Sequence, residues 1–175
     1  MGIIQALDYR VYQPNTVQRA MRHPLGLRPA SWLFARSLHR IDNLLLRLSH
    51  GRVTTPGLLT GLPVVQITTI GARSGLRRST PLLGIPVGDD LAVIGTHFGQ
   101  PGTPGWYYNL QADPIVEVAY QGETVTATAR EAEGEEREVI WDRGQQIYPG
   151  YEAYARRIHD RPIHVMVLTL RPSEG

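Results

Sequence analysis

Three arginines beside two glycines are the residues best placed to do chemistry in this chain. In the stretch GARSGLRRSTPL, residues 71–82, Arg73, Arg77 and Arg78 surround a turn that holds Gly71 and Gly75. Guanidinium forks and free backbone N–H groups both seek the oxygens of phosphate or carboxylate, so the turn suits an anionic ligand. The bland alternative is a solvated basic surface. Further along stand Thr96 and His97 in GTHFGQ, Trp106 in GWYYNLQADP, and Tyr148, Tyr151 and Tyr154 in YPGYEAY. Trp106 reads as a core plug or as the wall of a groove. The tyrosines step by three, so one helix face either packs them on the body or offers hydroxyls to a substrate.

These side chains need a scaffold, and from residue 64 the hydrophobic period is that of strands. Six runs rich in β-branched or aromatic residues are expected as strands: Pro63–Ile70, Ser79–Val87, Leu91–Thr96, Ile115–Tyr120, Glu123–Arg130 and Ile163–Leu170. GDD at 88–90 and QGE at 121–123 mark hairpin turns. A helix beginning near Glu133 has an acidic first turn, and a shorter one is expected over Tyr151–Ile158. Short strands joined mostly by hairpins, with small helices between them, do not make a βαβ pattern. They point to a mainly β (α+β) antiparallel barrel, closed or partly open.

Ahead of the strands lies a different kind of sequence. Residues 1–60 hold eight arginines against Asp8 and Asp42, a formal +6, which leaves −4 for the remainder of a chain whose net charge is +2. A short helix is expected near residues 15–22. From Ser31 to Leu48, Phe34, Leu38, Ile41, Leu45 and Leu48 form one stripe, and Arg36, Arg40 and Arg47 form another. The expected division is therefore a basic helical segment over 1–55 and a barrel over 56–175. The apolar stripe packs either on the barrel or on a membrane or partner surface. No run approaches the ~20 apolar residues of a spanning helix, and the N-terminus lacks the features of a signal peptide.

Composition removes several chemistries. There is no cysteine, so disulfides, thiolate nucleophiles and iron–sulfur ligation are excluded. All 18 basic residues are arginine, which excludes Walker A and Schiff-base lysines. The six histidines show no ligand spacing, so no metal is expected. A dinucleotide-binding fingerprint is absent, and no aromatic-interleaved basic groove suggests nucleic acid.

Taken in order, TTIGARSG, RSTPL, GWYYNLQADP, EGEER, IYPGYEAY and RPIHVMVL resemble the deazaflavin-dependent nitroreductase family over about residues 60–172. The resemblance implies a six-stranded split β-barrel, FMN-binding-like, that holds coenzyme F420 in a groove and passes hydride to quinones, nitro compounds or other electron-poor acceptors. It implies that Arg73 and Arg78 meet the cofactor's phosphate and acidic tail, with Ser74, Gly75 and Arg77 in the same turn. Thr96 and His97 fall where the family commonly has Ser and Lys, near the phosphate and the ring. Pro81, Trp106 and Asn109 fall among the groove residues. Tyr148, Tyr151 and Tyr154 fall on the segment that lids the substrate side, where a phenol can bind the acceptor and pass it a proton. Two departures stand out: Ala72 replaces a basic residue, with Arg77 able to compensate, and His97 replaces a lysine.

The expected activity is thus that of an F420H2-dependent reductase. The alternatives are an FMN-dependent split-barrel oxidoreductase and a non-catalytic deazaflavin binder. The expected partner is a small-molecule acceptor, with peripheral membrane contact through residues 31–48 left open. The expected state is monomer or homodimer, cytoplasmic or at the inner face of the membrane.

Overall fold

The computed structural model describes residues 1–11 and 61–172. The expected helices near 15–22 and 31–48, and the boundary at 55, lie outside these residues.

Seven strands form one sheet in which every pairing is antiparallel. They are β1 (Val64–Ile70), β2 (Arg77–Leu83), β3 (Ile85–Val87), β4 (Asp90–Ile94), β5 (Ile115–Tyr120), β6 (Glu123–Glu131) and β7 (Val165–Leu170). Their spatial order is β2-β1-β5-β6-β7-β4-β3. The two edges of this sheet, β2 and β3, are consecutive in the chain with only Gly84 between them. The sheet must therefore curl until its edges meet, which gives the expected barrel.

The expected run Ser79–Val87 is two strands, so the count is seven rather than six. Its break is built by the N-terminus. The Tyr9 hydroxyl is shared between the carbonyls of Gly84 at 2.7 Å and Pro63 at 3.0 Å. A Cβ at position 84 would lie 2.5 Å from that hydroxyl oxygen, so only glycine fits the corner. Burial holds the Tyr9 phenol well above its ordinary range, in keeping with a hydroxyl that only donates. Tyr9 follows a short helix, α1 (Ile3–Ala6), and Ile3 and Leu7 are fully buried in the barrel core. The first eleven residues thus belong to the core packing.

Turn chemistry follows the expectation. Tyr120 pairs with Glu123 and Val87 with Asp90, leaving two-residue loops at Gln121–Gly122 and Gly88–Asp89. Strand alternation then builds two cores. Val65, Ile67, Leu91, Val93, Val116, Val118, Met166 and Leu168 fill the barrel, together with Trp106 and Leu110 from α2 (Gly105–Ala112). Ala92, Ile94, Val165 and Val167 point outward from the same strands, under α3 (Gly134–Ile147) and α4 (Gly150–Ala155). Being covered on both faces, Leu91–Ile94 of β4 and Val165–Leu168 of β7 read as unbroken apolar runs.

Candidate functional site

The arginine turn is the loop from β1 to β2, and its backbone is tightly closed on itself. The Gly71 N–H donates to the Leu76 carbonyl at 2.8 Å, and the Ser74 and Gly75 N–H groups donate to the Gly71 carbonyl. The Ala72 N–H donates to Asn109 Oδ1 at 3.0 Å, and Asn109 Nδ2 donates in turn to Thr69 Oγ1 at 3.0 Å. Most of the N–H groups that could have cradled an anion are therefore spent. Anion recognition falls to the side chains.

The three arginines are not equivalent. Neighbours on a strand point to opposite faces, and Arg77 reaches across β1 to grip Glu117 on β5 with two bonds, at 2.9 and 2.5 Å. Its charge is neutralised there, and the same pair raises its pKa. Arg78 faces the other way, opposite Thr69, on the side where Asn109 docks. Arg73 and Arg78 are exposed, and no carboxylate among the described residues pairs with either. Pro81 lies on the face that carries Arg77, whereas Thr80 lies on that of Arg78.

Thr96 and His97 leave the sheet at the end of β4. Thr96 is buried, and His97, Phe98 and Gly99 take φ values of 49°, 56° and 73°. Such a left-handed stretch is rare for residues with a side chain. Within it, His97 Nδ1 lies 3.2 Å from the Gly102 carbonyl, so Nδ1 carries the proton and Nε2 is the outward nitrogen. Trp106 is core, and its ring packs against Gly95. Helix α2 consequently spans the site: its first turn rests on Gly95, while Asn109, about one turn further on, holds the arginine loop.

The three tyrosines sit in the outer core, each 5% exposed or less. The Tyr148 and Tyr154 hydroxyls bond each other at 3.0 Å, and burial pushes the phenols of Tyr151 and Tyr154 far up. Their link to the rest of the site is mechanical: the Phe98 ring meets Tyr154 edge-on at 6.1 Å, and Gly99 packs against the Tyr154 backbone.

Two groups have no signature in the sequence. Arg161 donates from Nη1 to the Gly95 carbonyl at 3.0 Å and from Nη2 to the Thr96 carbonyl at 3.1 Å. Glu131 accepts from the Tyr107 hydroxyl at 2.9 Å and meets His164 Nδ1 at 2.6 Å, while the Tyr107 and His164 rings stack at 3.7 Å. Burial and the Glu131 carboxylate push the Tyr107 phenol up to about 12. Only the place of Arg161 and His164 within RPIHVMVL could have pointed to them. No group of three His, Asp or Glu among the described residues could hold a metal ion.

The pattern of the F420H(2)-dependent quinone reductases matches residues 38–170 of this sequence. The chain belongs to that family. It is an oxidoreductase, and coenzyme F420, not FMN, is the cofactor of its family. An F420H(2)-dependent quinone reductase of Mycobacterium tuberculosis is 28% identical over 142 residues, covering 77% of this chain and 91% of the relative. A solved F420-H2-dependent reductase, FDR-A, is 38% identical with a TM-score of 0.55, covering 61% of this chain and 93% of its own. A structure described as a domain-swapped dimer is 34% identical with a TM-score of 0.57, covering 81% and 99%. The residues present suit an anionic cofactor: Arg73 and Arg78 offer positive charge that no described carboxylate cancels.

Proposed function

We propose that this chain reduces a quinone-like or nitroaromatic acceptor, with F420H2 held between the arginine turn and the Thr96–His97 turn. The observation that carries this reading is the contrast among the arginines. Arg77 is spent on Glu117, whereas Arg73 and Arg78 are left charged beside a turn that Asn109 fixes in place.

When bound, F420H2 would supply a hydride, and a quinone acceptor that takes it up together with a proton becomes the hydroquinone. Arg73 and Arg78 bind the anionic tail. Ser74 and Gly75 shape the turn that presents them, and Asn109 sets its position. Thr96 and His97 bind nearer the ring, with the imidazole of His97 standing where a lysine is common. Trp106 backs the groove from the core. Tyr148, Tyr151 and Tyr154, expected on the acceptor side, are buried under α3 and α4 and reach the site through packing, since the burial that raises their phenols disfavours giving up the proton. Their packing also keeps the His97–Gly99 turn in shape.

No helix among the described residues is long and apolar enough to cross a membrane. In the proposed arrangement the basic stretch after the first eleven residues, +6 over residues 12–60, lies on an anionic surface from which a lipophilic acceptor is drawn. The decisive experiment couples F420 fluorescence titration to F420H2 oxidation with menadione and a nitroaromatic panel. Binding without turnover would make the protein a carrier of the cofactor, and absence of binding would end the proposal.

A further inference from the structure

We propose that Arg161 is a positioning residue for the cofactor side of the site, holding the left-handed turn that presents Thr96 and His97. The inference rests on the reading of that turn given above and names the group that sets it.

The turn is held at its leading edge by the segment 161–164. The Gly95 N–H donates to the His164 carbonyl at 2.8 Å, and the Arg161 guanidinium takes the next two carbonyls, Gly95 and Thr96, one on each terminal nitrogen. Three hydrogen bonds thus fix three successive peptides, from Ile94–Gly95 to Thr96–His97. Beyond them, the Gly99 N–H returns to the Thr96 carbonyl at 2.9 Å and the Gln100 N–H to the His97 carbonyl at 3.0 Å. Two side-chain-bearing residues in a row at positive φ persist only where their surroundings over-determine them. Arg161 supplies the strongest of these constraints, because a planar fork binds two acceptors at fixed spacing.

The cost of placing Arg161 here shows that the site is built. Among the described residues it pairs with no carboxylate, its Nε is buried without an acceptor, and desolvation lowers its pKa. A guanidinium kept in such surroundings acts on what it holds. What it holds is the backbone that carries Thr96 and His97. His164 reinforces the same edge, since Glu131 and the stacked Tyr107 fix its ring while its carbonyl takes Gly95.

The test uses the full chain with Arg161→Met, Arg161→Lys and Arg78→Ala. In the protein without cofactor, Arg161→Met should raise hydrogen exchange at the Gly99 and Gln100 amides at least tenfold, leaving Val118 in β5 unchanged. F420 affinity should fall at least fivefold, with the KM for menadione within twofold of the parent. Arg161→Lys, which keeps the charge and one carbonyl bond, should restore part of both and serves if the methionine variant fails to fold. Unchanged exchange at Gly99 and Gln100 would overturn the proposal whether or not F420 binds. Faster exchange with unaltered F420 affinity would also overturn it, and a loss in Arg78→Ala would show that the site itself stands. If the parent protein fails to bind F420, the site reading falls, and so does a role for Arg161 in cofactor placement.

Discussion

Asn109 joins two parts of the molecule that sequence keeps far apart: its Oδ1 takes the Ala72 amide at 3.0 Å from a helix whose first turn rests on Gly95. Removing this amide with Asn109→Ala leaves the Ala72 N–H without its partner and Thr69 Oγ1 with only the Arg78 carbonyl. At about 0.5–1.5 kcal/mol for each of the two hydrogen bonds, F420 affinity should drop roughly 5- to 150-fold. Titration of cofactor fluorescence measures this, and an unmoved Kd would separate the helix from the site.

Arg78 and Arg77 should behave differently. Arg78→Ala is expected to weaken F420 binding by about 1.5–3 kcal/mol, the scale of a charge-assisted bond. Arg77→Ala should change it by less than about 0.5 kcal/mol, because Glu117 already occupies that guanidinium. Equal losses from the two variants would contradict the opposite-face placement.

Alkaline stability should carry a contribution from Tyr107. Its phenol titrates near 12 in the folded chain and near 10 when unfolded. The stabilisation is whole below pH 10 and is lost as pH rises from there through 12. Urea midpoints across that window should fall less steeply for Tyr107→Phe than for the parent. Parallel curves would mean that the Glu131 contact does not hold the proton.

Gly84→Ala should destabilise the fold by about 1–3 kcal/mol, since the added methyl meets the Tyr9 hydroxyl at 2.5 Å. Chemical denaturation reads the change. A neutral result would show that the barrel corner yields.

Deleting the whole basic arm is a poor test of membrane contact, because Ile3, Leu7 and Tyr9 are core residues. Replacing Arg36, Arg40 and Arg47 by Gln removes charge alone. Pelleting with anionic liposomes should decrease while F420 affinity holds. Undiminished pelleting would refute contact through residues 31–48.

The strands and their turns were legible because alternation and two-residue hairpin signals act locally. The break at Gly84 was hidden, since Tyr9 imposes it from 75 residues away. Helix α1 is too short, at four residues, to leave a period. The arginine turn was visible as a motif. That Arg77 is spent depends on which strand lies next to β1, and spacing does not record it. Tyr151 and Tyr154 share a face of α4 as their spacing predicts, but Tyr148 stands in extended backbone between α3 and α4 and joins them through tertiary contact; their depth came from α3 and α4 covering the sheet. Arg161 acts on backbone carbonyls, which have no residue identity to recognise.

The seal at Tyr9 has a consequence for how the molecule is made. Residues 3–9 are made well before β7 and must wait for it, because Ile3 and Leu7 share a core with Met166 and Leu168. Closure is thus a late event joining the most distant parts of the polypeptide, and long-range contacts of this kind form slowly. Until then Ile3, Leu7 and Tyr9 stay greasy and uncovered, a natural handle for a chaperone during synthesis.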